Sequence, residues 1–350
     1  MPTYQQITSS FYRTGSAFDG PDLRTYDKIL IAFSGGKDSW ASWLAVLEQL
    51  VSIGMTWTEI SRRVEFWHHL IDGREGSKLM DWPCSEDYAR KCALAFGIPI
   101  FFSWKTGGFE GEMNRENSPT APTKFETPEG HVVKVGGQGR PGTRLQFPQV
   151  SANLQTRWCS SYLKIDVMAI SIRNQYRFNN ARTLVVTGER GEESSQRAGY
   201  DIFEPHRTDK RDSLKLRRHV DHWRPVLDWL ELEVWAVLQE YRIRVHPAYY
   251  LGFSRVSCQK CIFGNRDVWA TNYQLDPEGI EKIARAEERF GKTIKRNTSV
   301  REMIGRGTSF MAGTLEDQED AMSEIYTRKI FMDKWRLPAG AFKGGSCGPV

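Results

Sequence analysis

The sequence predicts an α/β fold: a doubly wound parallel sheet with helices on both faces, followed by a helical, cysteine-bearing C-terminal region. Three observations carry this. Short, nearly all-apolar segments alternate with stretches of helical periodicity. The apolar segments lack the polar–apolar alternation of a half-exposed sheet, as expected of parallel strands covered on both faces. The loops SGGKDS, IDG and TGERGEES each follow such a segment, at the strand ends where sheets of this kind bind ligands.

Taken in order, KILIAF (28–33) reads as a buried strand and 37–52 as a helix. VEFWHHLID (64–72) is the second strand, and a helix over 85–96 ends at Gly97 with Pro99 beyond it. IPIFFSW (98–104) is the third strand; a helix over roughly 160–178 precedes the strand TLVVTG (183–188). Residues 105–155 break the alternation, rich in Gly, Pro, Thr and Asn, with one hairpin around KFETPEGHVVKV. A loop of that length is functional or disordered. From about 225 the chain turns helical, and IEKIARAEERFGKTIKR (280–296) is an amphipathic helix suited to packing or to a partner. The end, FKGGSCGPV, has no periodicity and is expected to be mobile. The expected division is an α/β domain over 1–224, with the 105–155 insert setting substrate choice, and a mainly helical region over 225–350.

The chain has 350 residues, 40% of them hydrophobic and 26% charged, which fits a soluble protein with a sizeable core. No apolar run reaches the ~18–20 residues of a membrane-spanning helix, so no membrane partner is expected. The start, MPTYQQITSSFYRTGS, lacks a secretory pattern, and a cytoplasmic location follows as the expectation. A net charge of +5 is too mild to require a nucleic-acid partner. The run Arg207–Arg224 carries seven Lys/Arg against three Asp; it reads as a solvated loop and helix face, or as a surface for phosphates.

SGGKDS is built for phosphate. Gly35 and Gly36 let backbone N–H groups approach phosphate oxygens, and the following helix adds its positive end. Lys37 supplies a point charge, Ser34 and Ser39 hydroxyls, and Asp38 a carboxylate facing Mg²⁺ or orienting its neighbours. It is not a Walker A loop, which needs glycine where Ile31 stands.

This strand–loop–helix resembles the PP-loop of the ATP pyrophosphatase (adenine nucleotide α-hydrolase) superfamily. VVTGERGEESSQRAG, WRPVLDWLELEVWAVL and HPAYYLGFSRVSCQKC narrow the resemblance to the branch containing phosphoadenylylsulfate (PAPS) reductases. The resemblance implies cleavage of ATP between its α- and β-phosphates, with Lys37, Asp38 and Arg190 catalytic. It places nucleotide at Phe33, Ser34, Gly35, Gly36, Lys37, Asp38, Ser39, Asp72, Thr187, Gly188, Arg190, Glu193 and Arg197. Phe33 and Leu70 are expected at the adenine, and Thr187-Gly188 where a bulky side chain would block the nucleotide. Arg190 and Arg197 are forks for anionic oxygens, although Glu193 could instead pair with one of them. Keeping Lys37 and Asp38 favours ATP-dependent activation over simple sulfate reduction.

Six cysteines are present. Cys84 and Cys92 read as buried, inert thiols. Cys258-Gln-Lys-Cys261 is similar to the CxxC of iron–sulfur adenylylsulfate reductases, and WCSSYLK matches their upstream Cys-Cys with Ser160 in place of the second cysteine. The resemblance therefore implies a [4Fe–4S] cluster on Cys159, Cys258 and Cys261 with one open iron. Zn²⁺ on the three cysteines with His246, or no metal, are the alternatives. Cys347, in SCGPV, resembles the C-terminal nucleophile of PAPS reductases and is otherwise an incidental tail residue.

The expected function is ATP-dependent adenylation of a substrate with pyrophosphate release, coupled to sulfur transfer. The nearest analogy is the ATP pyrophosphatase of DNA phosphorothioation systems, which makes nucleic acid a candidate substrate and a sulfur-donor protein a candidate partner. The alternatives are a thiol-dependent reductase of PAPS or adenylylsulfate using Cys347, and a nucleotide-sensing regulatory or defence component without sulfur chemistry.

Overall fold

The computed structural model describes residues 20–343. Eight strands form one sheet: β1 Lys28–Ala32, β2 Val64–Leu70, β3 Ile100–Lys105, β4 Thr123–Glu126, β5 Val132–Val135, β6 Arg182–Val186, β7 Phe203–Pro205 and β8 His219–Trp223. Their spatial order is β5-β4-β3-β2-β1-β6-β8-β7. The five central strands are parallel, and the pairs β3–β4, β4–β5 and β7–β8 are antiparallel. The chain proceeds outward from β1 through β2 to β3, then resumes on the other side of β1 with β6. The crevice between the ends of β1 and β6 is therefore the switch point of the sheet.

Both faces are covered, as the continuous apolar strands require. Ile29, Ile31, Phe66 and Leu184 pack on one face with helix Lys37–Ser52. Leu30, Trp67 and Val185 pack on the other with Met168 and Ile172 of helix Asp166–Arg173. Helix Lys37–Ser52 is buried almost all round, because helix Glu231–Glu240 covers its outer side. Trp40 and Trp43 on it are fully buried and meet Phe33 and Phe66 edge-on at 5.0 and 5.2 Å. Truncating either tryptophan to Ala should cost ~3–5 kcal/mol.

Helix Ser85–Phe96 ends at Gly97 in the left-handed conformation (φ 63°), the C-terminal signal read from the sequence. The helix foreseen over 160–178 is shorter and starts earlier. Trp158–Ser160, a π-helical turn Ser161–Ile165 and Asp166–Arg173 run on without a break.

The 105–155 insert is more ordered than a long loop. It contributes a short helix, Gly108–Met113, and its hairpin extends the main sheet as β4 and β5. Phe109, Met113 and Phe147 of the insert pack with Trp158, Leu163, Ile262 and Trp269 in a second core. The first core runs through both expected regions, joining Ile31 and Trp40 to Trp235, Val245 and Tyr249. Helix Pro277–Phe290 turns Ile280, Ile283 and Ala284 inward, so its apolar stripe is spent on packing within the chain. The basic run 207–224 forms a loop and β8, not a helix, and much of its charge is paired: Arg207 with Asp166, Arg211 with Asp209 and Asp221, Arg224 with Glu204.

Candidate active site

The SGGKDS loop occupies the expected place. Gly35 has φ 78°, a left-handed conformation in which a side chain would also press on the Tyr88 ring at 3.2 Å. Gly36 caps helix Lys37–Ser52 with no side-chain hydrogen bond. The Lys37 N–H at that helix start donates instead to the Tyr249 hydroxyl, 2.9 Å away. The Ser39 hydroxyl donates to the Gly36 carbonyl at 2.8 Å, and Ser34 is exposed at the lip. An uncapped helix start beside a glycine loop is a place for anionic oxygens.

The charges of the loop balance one another. Lys37 Nζ lies 3.1 Å from Asp38 Oδ2 and 3.9 Å from Glu231 Oε1. Arg190 Nε donates to Asp38 Oδ1 at 2.6 Å, and its Nη1 donates to both Glu192 and the Trp229 carbonyl. Burial opposes the Asp38 charge, but Lys37 and Arg190 outweigh it and hold the carboxyl below its ordinary pKa. Arg190 therefore fixes the loop carboxylate here, where the sequence reading had it receiving nucleotide oxygens. Arg197 is paired with Glu193, the ion pair that reading left open.

Gly188 is required by the approach of β6 to this loop: a Cβ there would fall 2.7 Å from the Asp38 carbonyl oxygen. Its missing side chain admits the first turn of helix Lys37–Ser52. Thr187 is drawn sideways, its hydroxyl donating to Glu189 and lying 2.7 Å from His222 Nε2.

Three expected nucleotide contacts lie elsewhere. Phe33 is fully buried, stacked on Phe66 at 4.5 Å, so its ring belongs to the core and lines no adenine pocket; Leu70 is buried in the same core. Asp72 is 3% exposed and folded into a reciprocal arrangement with Asp81. Asp72 Oδ2 accepts from the N–H groups of Met80 and Asp81, and Asp81 Oδ2 from those of Ile71 and Asp72. Burial pushes Asp72 up to about 6; burial and the neighbouring Asp72 push Asp81 up to about 7.

Beyond this pair lies the cysteine site. The Met80 carbonyl accepts from the N–H groups of Gln259 (2.7 Å) and Lys260 (3.4 Å), hanging the CxxC turn on the loop after β2. Lys260 is fully buried and reaches Asp276 Oδ2 at 2.6 Å. Asn272 Nδ2 donates to the Gln259 carbonyl at 2.8 Å, fixing the turn from the other side. The π turn brings Lys164 inward, with Nζ 4.0 Å from Cys258 Sγ. Burial works against that ammonium, but Cys258, Cys261, Cys159 and Asp81 together raise its pKa. The neighbouring Cys258 pulls the Cys261 thiol down against burial, with help from Arg255, while Cys261 and burial push Cys258 up.

The three sulfurs thus gather round a lysine. Among the described residues, however, no group of three or more His, Cys, Asp or Glu side chains is arranged to hold a metal ion. The [4Fe–4S] cluster implied on Cys159, Cys258 and Cys261 is thus not shown by this arrangement. His246 does not complete a zinc site either: its Nε2 lies 3.3 Å from Cys84 Sγ, and its Nδ1 accepts from the Ala248 N–H. Cys347 lies outside the described residues. Among the described residues no helix is long and apolar enough to cross a membrane.

The two sites adjoin. A Cβ on Gly36 would lie 3.5 Å from the Tyr249 hydroxyl and 3.7 Å from Val256 Cγ2. Val256 precedes Cys258 by two residues, so their Cα atoms are within ~7 Å. Tyr249, Arg255, Lys164, Asp81 and Lys260 escaped the sequence reading. Tyr249, Arg255, Lys164 and Lys260 stand inside the stretches HPAYYLGFSRVSCQKC and WCSSYLK, beside the residues that were singled out.

Fold and loop define a nucleotide-binding type of α/β protein. Residues 143–263 match the phosphoadenosine phosphosulfate reductase domain family. Two curated proteins are similar. The "Uncharacterized 37.8 kDa protein in gpa 5'region" of Escherichia phage 186 is 26% identical over 284 residues, 77% of each chain. The adenosine 5'-phosphosulfate reductase of Burkholderia cepacia is 32% identical over 76 residues, 22% of this chain and 27% of that one. A solved FMN adenylyltransferase of Candida glabrata, in complex with FAD and inorganic pyrophosphate, has a TM-score of 0.37 and 12% identity, over 66% of this chain and 54% of its own. The similarity to PAPS reductases is thus carried by residues 143–263 of the chain.

Proposed function

We propose that the protein is a PP-loop enzyme that activates a substrate with ATP, releasing pyrophosphate, and couples this to sulfur transfer. The observation that carries the reading is the SGGKDS loop itself, with an uncapped helix start, Lys37 and Asp38 all at the switch point of the sheet. ATP would lie on residues 34–39, where Lys37 can turn from Asp38 to the departing phosphates. Asp38 would turn from Lys37 and Arg190 to face Mg²⁺, which would neutralise the charge developing on pyrophosphate. A thiol site two residues along the chain from Val256 supports sulfur as the second reactant. Nucleic acid is a candidate acceptor, by analogy with DNA phosphorothioation.

The test is ATP turnover with candidate acceptors: pyrophosphate and AMP should form, and both should disappear in Lys37→Ala. Consumption of PAPS or adenylylsulfate by thiols, without ATP cleavage, would replace this reading by that of a reductase. The short stretch of identity to the Burkholderia cepacia reductase favours that second reading.

A further inference from the structure

Adenylation of a hydroxyl needs a group to take its proton, and Asp38, the carboxylate of the loop itself, is already engaged by Lys37 and Arg190. We propose that Glu189 is the general base that deprotonates a hydroxyl acceptor as it attacks ATP, with Thr187 and His222 positioning its carboxylate. This rests on the ATP reading and adds the chemical class of the acceptor, an oxygen that carries a proton.

Glu189 stands between two residues that touch the phosphate loop. Gly188 lies against the first turn of helix Lys37–Ser52, where an added Cβ would meet the Asp38 carbonyl oxygen at 2.7 Å. Arg190, on the other side, grips the Asp38 carboxylate. Arg197 feels both the Glu189 and the Asp38 charge, so the two carboxylates border one region.

The hydrogen bonds behind Glu189 run in one direction. Arg224 Nη2 lies 3.1 Å from His222 Nδ1. A guanidinium only donates, so Nδ1 accepts and the neutral ring carries its proton on Nε2. Burial lowers the pKa of His222, which favours that neutral ring. Its Nε2–H donates to Thr187 Oγ1 at 2.7 Å, and the Thr187 hydroxyl donates in turn to Glu189 Oε2. Glu204 Oε1 accepts from Arg224 Nη2 at 2.7 Å and anchors the head of the series. Arg224 Nε, 3.6 Å away, faces the same Oε2 of Glu189. Oε1 has no protein partner among the described residues, and the side chain is 29% exposed. One oxygen is anchored; the other is open to a ligand.

The step balances. As the acceptor oxygen bonds to the α-phosphorus, the bond to the β-phosphate oxygen breaks and pyrophosphate leaves with its electron pair. The acceptor proton passes to Glu189 Oε1 and then to solvent, which restores the carboxylate.

The experiment follows pyrophosphate release by the full chain with ATP and Mg²⁺. The acceptors are water alone and DNA oligonucleotides ending in a 3′-hydroxyl or a 3′-phosphate. Wild type should turn over with a proton-bearing acceptor. Glu189→Gln should lower that rate by about 10²–10⁴-fold, with ATP affinity and Mg²⁺ requirement unchanged, and Glu189→Asp should recover part of it. Burial opposes the Glu189 charge, but His222, Thr187, Arg224 and Arg197 outweigh it and hold the carboxyl below its ordinary pKa. Thr187→Val should therefore raise that pKa and move the acid limb of the pH–rate profile to higher pH. His222→Ala should move it the same way, and Thr187→Ser should restore it. Far-UV circular dichroism and ATP binding check that each variant is folded. Glu189→Gln at the wild-type rate would overturn the assignment, as would a raised Mg²⁺ requirement, the mark of a metal ligand. Wild type that releases pyrophosphate only when the ionised 3′-phosphate is present would overturn the base and leave the ATP reading standing. Wild type that releases none with any acceptor would sink both.

Discussion

The ends of β1 and β2 are neighbours in the sheet and are built from opposite materials. At β1 the chain relies on backbone: Gly35 in a left-handed turn, Gly36 without a cap, and Gly188 letting β6 come against the helix start. Its side-chain charges cancel locally, Lys37 and Arg190 both against Asp38. At β2 the chain relies on side chains drawn from distant segments: Asp72 and Asp81 from the loop after β2, Lys164 from the π turn, and Lys260 with the two cysteines from the C-terminal region. There, ionisable groups are buried in excess of what they can neutralise, and their pKa values move. The β1 end is thus shaped by backbone geometry, and the β2 end by buried ionisable side chains.

That contrast can be broken at either end. The largest expected effect is at β1. Lys37→Ala should reduce pyrophosphate release by about 10²–10³-fold while the far-UV circular dichroism is unchanged, since it removes charge from the departing phosphates. Gly188→Ala should act on both stability and turnover. The added Cβ meets the Asp38 carbonyl at 2.7 Å, and an overpacked contact of this kind costs ~1–3 kcal/mol, measurable by urea unfolding.

Asp81→Asn sharpens the comparison at β2. Asp81 has a folded pKa of about 7, raised above its ordinary value, so the native state holds a proton the unfolded chain gives up. Its contribution to stability is complete below the ordinary carboxylate pKa and is lost as pH rises through about 7. The Asn variant keeps an acceptor for the Ile71 and Asp72 N–H groups and carries no charge. It should therefore gain stability relative to wild type between pH 5 and pH 8, by ~1–3 kcal/mol. A constant difference across that range would contradict the buried-carboxylate account. The smallest effect belongs to Arg197→Gln, which breaks a partly exposed ion pair with Glu193 and should cost no more than ~1 kcal/mol.

The same contrast explains what could be read from the sequence. Strands β1, β2, β3 and β6, helices Lys37–Ser52 and Ser85–Phe96, and the phosphate loop are specified by local pattern: apolar runs, helical spacing, and glycines where a turn needs them. The parallel sheet covered on both faces followed from alternation of those elements, whereas the strand order and the switch point came with the structure. The cysteine site was half legible. Cys159, Cys258 and Cys261 were named together and do converge, but the cluster expected on them depends on angles between side chains that spacing does not encode. Lys164 faces Cys258 because the helix slips into a π turn, which no periodicity of SYLKI announces. Asp72 was assigned to the nucleotide because it ends a strand. Its partnership with Asp81, nine residues on, depends on how the loop folds back. Phe33 follows β1 but points into the core, a choice of face that the continuous apolar run KILIAF leaves open.

The central claim is that the loop at residues 34–39 spends ATP. Purified protein should be incubated with ATP labelled in its α-phosphate, Mg²⁺ and a panel of acceptors that includes DNA and RNA, and the products separated. The account predicts AMP and pyrophosphate in equal amounts from wild type, and neither from Lys37→Ala. ATP left intact with every acceptor, while adenylylsulfate or PAPS is consumed in the presence of a dithiol, would contradict it.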